Sequence, residues 1–261
     1  MSLVYVYAIA PGASAEPKDV RGIEDGLVRA LHDGELVAFV SDVPESAFGE
    51  TPLNTHLADM EWLTPRAVRH QEVNAALVGL CDPLVPLSFG TVFRDEAAVT
   101  RMLRERRDEL GPRFEALRGK AEWILVLRRD REKALAGLER SDDALRALRV
   151  QIATAAPGRA YLATRRLDDT MRHALRAVDG AAAAAATDAF ERAGARLFRE
   201  PLIEDAGGDM LARFSLLADR GGGSLLGGVA AAFDADWSAR GYRVELSGPW
   251  PAYRFSTVGA S

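Results

Sequence analysis

The chain has 261 residues, 48% hydrophobic and 27% charged, with a net charge of −5. These proportions suit a globular protein with room for one large core or two modest ones. With 33 basic against 38 acidic residues, charge offers no reason to expect a nucleic-acid partner or an anionic lipid membrane.

The opening MSLVYVYAIAPG lacks a basic stretch before its apolar run, so it is not expected to be a leader. Leu3 to Ala10, β-branched and aromatic, predicts a buried strand ended by Pro11-Gly12. Val20, Ile23, Leu27, Val28 and Leu31 sit at helical spacing and predict a helix over 20–31, closed by His32-Asp33-Gly34. Leu36 to Val40 reads as a second strand, and 41–58 as a turn-rich loop. Leu63, Val68, Val73, Leu77 and Leu80 predict a helix over Glu61–Leu80, with Pro65 limiting its start. The lone Cys81 cannot close an internal disulfide, suits a reducing compartment, and follows ALVGL as a small buried hydrophobe. Leu84 to Gly90 reads as a strand in which Pro86 demands an edge or a bulge. Leu103, Leu110 and Leu117, flanked by Val99 and Phe114, predict one helix over Glu96–Leu117. Arginines and acids alternate on its other face, which fits a salt-bridged solvent surface.

From Gly119 the elements read as one unit. Ala121–Leu127 is a strand, followed by a long helical region from about Arg131 to Ala195, broken near Ala156-Pro157-Gly158. Arg196–Glu204 is a second strand, Asp205–Asp209 a turn, and Met210–Ala218 a third strand. Leu225–Arg240 is a helix and Tyr242–Ser247 a fourth strand. The order β-α-β-β-α-β is that of a ferredoxin-like antiparallel sheet, with the first and third strands central and Pro201 in an edge strand. The hexa-alanine run at 181–186 is read as helix interior, with Gly180 marking a break. The fold class is therefore α+β in two domains: an N-terminal α+β domain over 1–118 and a ferredoxin-like domain over 119–247 with a long helical insertion. Residues 248–261 form a tail.

Chemistry is sparse. GGGSLLGG at 221–228 has neither G-x-G-x-x-G spacing nor Lys-Ser/Thr after a phosphate loop, so it reads as a turn with Ser224 as helix cap. His32, His56, His70 and His173 lie far apart with no metal-ligand spacing, and Asp169 and His173 make an ordinary surface pair. Ser88 and Ser224 lack a nucleophile-elbow context. No enzyme, cofactor or metal is expected.

Five blocks, YVYAI, LVPLSFGTVF, GKAEWILVL, GRAYLATRR and LSGPWPAYRF, together resemble the gas vesicle protein F/L (GvpF/GvpL) family. The anchors are Pro86, Phe89, Gly90 and Thr91 in P-x-x-F-G-T, and Gly248, Pro249, Trp250, Pro251, Tyr253 and Phe255 in the terminal block. Ser88 departs from the family, which often has a basic residue there, and the alanine tract is a second departure. The resemblance implies a cytoplasmic, vesicle-associated accessory or minor structural protein without catalytic residues. Its implied partners are the small hydrophobic major shell protein, bound during nucleation and assembly, and other gas vesicle accessory proteins. A small-ligand-binding regulatory module of ferredoxin-like type is the alternative. An aromatic, proline-stiffened terminus is expected to dock: residues 248–258 would leave the last strand and cross the N-terminal domain, with Trp250 and Tyr253 in an apolar groove.

Overall fold

A computed structural model describes residues 2–12, 16–202 and 209–256. The chain divides into two compact units, residues 1–122 with 249–261, and residues 123–248. Both contain an antiparallel sheet and helices. Among the described residues no helix is long and apolar enough to cross a membrane.

The first unit contains β1 (Ser2–Pro11), β2 (Arg29–Asp33), β3 (Leu36–Pro44), α1 (Glu45–Phe48), α2 (Glu50–His56), α3 (Met60–Leu80), β4 (Val85–Pro86), β5 (Val92–Phe93), α4 (Glu96–Glu105) and α5 (Arg107–Leu117). Its sheet runs β2-β3-β1-β4, with β5 also on β1. Val4 to Ala10 of β1 are each exposed by 5% or less, so this strand is covered on both faces. Tyr5, Tyr7, Val37, Phe39 and Val43 pack with Phe48, Val73 and Leu77 on one face. On the other, α4 and α5 bury Val99, Leu103, Leu110 and Leu117.

Three expectations change in this unit. Residues 20–31 are not helical: Arg21 bridges Leu27, the Gly22 N–H donates to the Gly26 carbonyl, and Leu31 of β2 pairs with Ala38 of β3. Asp25-Gly26 and Asp33-Gly34 are hairpin turns, and turn chemistry overrides the helical spacing. The helix expected over 96–117 is interrupted at Arg106, although its leucines stay on one buried side. The strand expected over 84–90 contains only Val85 and Pro86, and the 41–58 loop holds two short helices.

The second unit is entered through β6 (Lys120–Arg129). It continues with α6 (Arg131–Ser141), α7 (Asp143–Thr154), α8 (Pro157–Arg192), β7 (Arg196–Arg199), β8 (Met210–Asp219), α9 (Gly223–Trp237), a 3-10 turn over Ser238–Arg240, and β9 (Tyr242–Trp250). The sheet order is β7-β8-β6-β9, which puts β6 and β8 at the centre. Trp123, Leu125 and Leu127 alternate into the core against Ala212, Phe214, Leu216, Tyr242 and Val244. From α8 come Leu167, Leu175, Ala182, Ala186 and Phe190 at helical spacing. Gly180 does not break α8, and Pro201 lies just beyond β7. Most of the expected turn at 205–209 lies outside the described residues. Ser224 is not a cap either: Gly222 occupies that position without a side-chain bond. Gly223 is there because a Cβ would come within 2.9 Å of the Trp123 ring.

One half-buried ion pair ties α8 to the sheet. Asp179 accepts from Arg129 Nη1 at 2.5 Å and from the Tyr242 hydroxyl at 2.8 Å. The Asp179 and Arg129 side chains are each only 15% exposed. Burial, then Asp179, pushes the Tyr242 hydroxyl well above the usual phenol range. Removing one partner strands the other charge, so Asp179→Ala is expected to cost about 3 kcal/mol in urea-induced unfolding. Asp179→Asn, which keeps an acceptor, should cost less.

Candidate functional site

The P-x-x-F-G-T block explains the interrupted strand. Val85 and Pro86 pair with Ile9 and Ala8, and Val92 and Phe93 pair with Tyr5 and Val4, so β4 and β5 follow one line along β1. Between them the Leu87 N–H donates to the Tyr7 carbonyl, and the Val6 N–H donates to the Thr91 carbonyl. The ladder continues on both sides while Ser88, Phe89 and Gly90 loop out, a large bulge on an edge strand. The Thr91 hydroxyl closes the loop on the Ser88 carbonyl at 2.7 Å. Gly90 has φ +82°, which a side chain would strain.

Under this loop lies a hydrogen-bonded cluster. The Gly90 N–H donates to the Tyr5 hydroxyl at 3.0 Å, and that hydroxyl lies 2.9 Å from His70 Nδ1. The Asn74 amide nitrogen lies 3.1 Å from His70 Nε2, and with an amide N–H turned to that nitrogen the one ring proton is assigned to Nδ1. The Asn74 amide also donates to the Tyr253 hydroxyl at 2.8 Å. Tyr7 stacks on the imidazole at 5.9 Å between ring centres, and Phe89 meets it edge-on at 5.8 Å. His70 and Asn74 are buried, and burial pushes the imidazole down to about 4, partly opposed by a bond with the Leu87 backbone. Burial likewise raises the Tyr5 and Tyr253 hydroxyls above the ordinary phenol range.

The terminal block reaches the same cluster. Gly248, Pro249 and Trp250 still belong to β9, and Trp250 is 43% exposed, so it fills no groove. The strand outlasts the expected exit at 248, and the ring is left on its outer side. Pro251 and Ala252 are buried, and α10 (Tyr253–Ser256) follows, with Phe255 half-buried. The Tyr253 ring centre is 6.1 Å from that of His70. The Arg254 N–H donates to Glu122 at 2.8 Å, and the Ser256 hydroxyl reaches the Pro86 carbonyl at 3.4 Å. Residues 257 and 258 lie outside the described residues.

The two motif blocks thus converge on α3, through a pair that sequence reasoning missed. The helical stripe it chose includes Val68 and Leu80, which are 52% and 41% exposed; the buried stripe is His70, Val73, Asn74 and Leu77. The available signal was the i, i+4 spacing of His70 and Asn74 in line with two apolar residues. Beside the loop opens a cleft of about 480 Å³, with Pro86, Leu87 and Met102 on its apolar side and Ser88, Thr91 and Arg106 among its polar lining. Among the described residues no group of three or more His, Cys, Asp and Glu side chains is placed to hold a metal.

Two substitutions probe this cluster in denaturant titrations. Tyr253→Phe removes the shortest of the three contacts made by the Asn74 amide, leaving its N–H groups to the longer ones on His70, and is expected to cost about 1 kcal/mol. Gly90→Ala is expected to cost about 1–2 kcal/mol through backbone strain alone. An unchanged unfolding midpoint in Tyr253→Phe would show that the Asn74–Tyr253 bond adds nothing to stability.

A family model described as "Gas vesicle synthesis protein GvpL/GvpF" matches residues 3–257. Gas vesicle protein L of a Streptomyces species is 38% identical over 122 residues; the match spans 46% of each chain, about half of that relative's length. Gas vesicle protein F of the same species is 30% identical over 263 positions, covering 96% of this chain and 98% of that protein. The crystal structure of the gas vesicle protein GvpF from an Anabaena species superposes with a TM-score of 0.77 at 17% identity, over 99% of this chain and all of that one. At that identity the likeness speaks for the fold. Sequence match and architecture agree along the whole chain: it belongs to the GvpL/GvpF family of gas vesicle proteins, which takes part in gas vesicle formation.

Proposed function

We propose that this protein is a non-enzymatic assembly factor or minor wall component that binds the major shell protein while the gas vesicle nucleates and grows, in the cytoplasm and on the vesicle. The observation that carries the reading is the family match over residues 3–257, which includes both motif blocks. Other gas vesicle accessory proteins are further partners in this reading. We take residues 1–118 as an α+β domain, 119–247 as a ferredoxin-like domain and 248–261 as a tail docked on the first. The compact units and the order β7-β8-β6-β9 support that division.

A small, very hydrophobic shell subunit needs an apolar surface beside backbone groups that can pair with it. The bulged edge at Val85–Pro86 and the cleft next to it supply both kinds of group. The motif residues Pro86, Phe89, Gly90 and Thr91 then shape that edge, and residues 251–256 lie over it, with the Ser256 hydroxyl on the Pro86 carbonyl.

Co-expression with the major shell protein followed by a tag pull-down tests the reading. Soluble shell protein is expected to be recovered with the wild-type chain, and several-fold less with Leu87→Asp, which puts a charge on the apolar side of the cleft. With both proteins well expressed, a clean absence of shell protein in the wild-type eluate would refute direct binding.

A further inference from the structure

Both ring nitrogens of His70 are engaged, by the Tyr5 hydroxyl and the Asn74 amide, and the same amide holds the Tyr253 hydroxyl. A second ring proton would sit on Nε2, where it would face the Asn74 NH₂, donor against donor. Turning the amide brings its oxygen, unpartnered in the present orientation, to the new N–H. It also takes the N–H away from the His70 carbonyl, now 3.2 Å distant, and forces the Tyr253 phenol to change from acceptor to donor. Even then, among the described residues, the imidazolium has no anion beside it. The groups that face it are Tyr5 and Tyr7 from β1, Tyr253 from the terminal segment, Phe89 and the Leu87 backbone from the bulge, and Asn74 on α3 itself. The nearby carboxylates act elsewhere: Glu24 is paired with Arg66, and Glu122 accepts from the Arg254 N–H.

A charge in such a pocket is relieved by opening it, and the weakest wall opens first. β1 is paired along its length with β3, and the bulge is stitched to β1 at Leu87 and Thr91. The segment after Pro251 has no ladder of its own and is held to this unit by bonds that include Asn74–Tyr253, Glu122–Arg254 and Pro86–Ser256. We propose that His70 is a proton-operated latch: when the ring takes up its second proton, residues 251–256 detach from the first unit and uncover the strand edge at Val85–Pro86. This device stands apart from the identity of any partner, because it follows from the cluster alone.

The sign follows from which form holds the proton. The closed form refuses it until about pH 4, whereas an exposed imidazole accepts it near 6.5, so acid favours the open form and the effect is absent above about pH 7. Between pH 7.5 and pH 5.0 the opening constant should rise about 30-fold.

Hydrogen exchange of the full chain, read by mass spectrometry and corrected for intrinsic exchange chemistry, measures it directly. Amides of residues 252–256 are expected to show the 30-fold rise, those of Val37–Val40 no change, and His70→Gln no pH dependence in the terminal segment. If His70→Gln does not fold, an NMR titration of the wild-type His70 ring decides: its shift and those of the 252–256 amides should move together, completing well below pH 6. A ring that titrates near 6.5 while the segment stays protected overturns the proposal. Equal corrected exchange at both pH values does so too.

Discussion

A phenol buried on a central strand must find hydrogen-bond partners, and the first unit is arranged around the partners that Tyr5 finds. The strand's neighbours cannot supply them, because their backbone groups are used in the ladder. The hydroxyl therefore draws in a backbone N–H from a loop that leaves the sheet and an imidazole from the helix above it. The loop can reach only if the edge strand bulges, the bulge needs glycine at 90, and the helix must present His70 rather than an apolar side chain. Asn74 passes the bonding on to Tyr253, so the end of the chain is held by the same chain of hydrogen bonds. Such networks gain from low dielectric surroundings when every member is satisfied, and they leave little tolerance for losing one.

The second unit solves a different problem. A 36-residue helix lies over a four-stranded sheet, and its alanine tract lets Ala182 and Ala186 sit fully buried in the core. Small side chains contribute little apolar area each, so the contact is secured elsewhere, by Phe190 at one end of the tract and the Asp179 ion pair at the other. Gly223 plays a related part, making room for the Trp123 ring where α9 begins. Close approach recurs at these sites, and each one relies on a residue with no bulk.

The second unit was the more legible in sequence. Its strands alternate over two residues and its helices bury a stripe, so Trp123-Leu125-Leu127, Ala212-Phe214-Leu216 and Leu226-Phe233 could be assigned from pattern alone. The first unit misled at two kinds of place. Around Asp25-Gly26 and Asp33-Gly34, apolar residues fell at helical intervals by coincidence, and the turns made hairpins of them. Along α3 the apolar pattern pointed to Val68 and Leu80, while the structure buries His70 and Asn74, because bonding to Tyr5 and Tyr253 makes those polar residues acceptable inside. Hydrophobic patterning cannot register a polar residue whose partners lie 65 and 179 positions away.

Sequence by itself determined the α+β class, the strands β1, β3, β6 and β8, the long helical stretch, and the motif residues that carry the family resemblance. Each of these depends on local propensity, periodicity or residue identity, which are written in the chain. Only the tertiary structure decided that P-x-x-F-G-T is a bulge under which a histidine is buried, that Trp250 stays outside while Tyr253 goes in, and that a cleft opens beside the loop. These features arise where β1, α3, the bulge and the last residues meet. Their energetics depend on burial and on partners far apart in the chain, which no local pattern records.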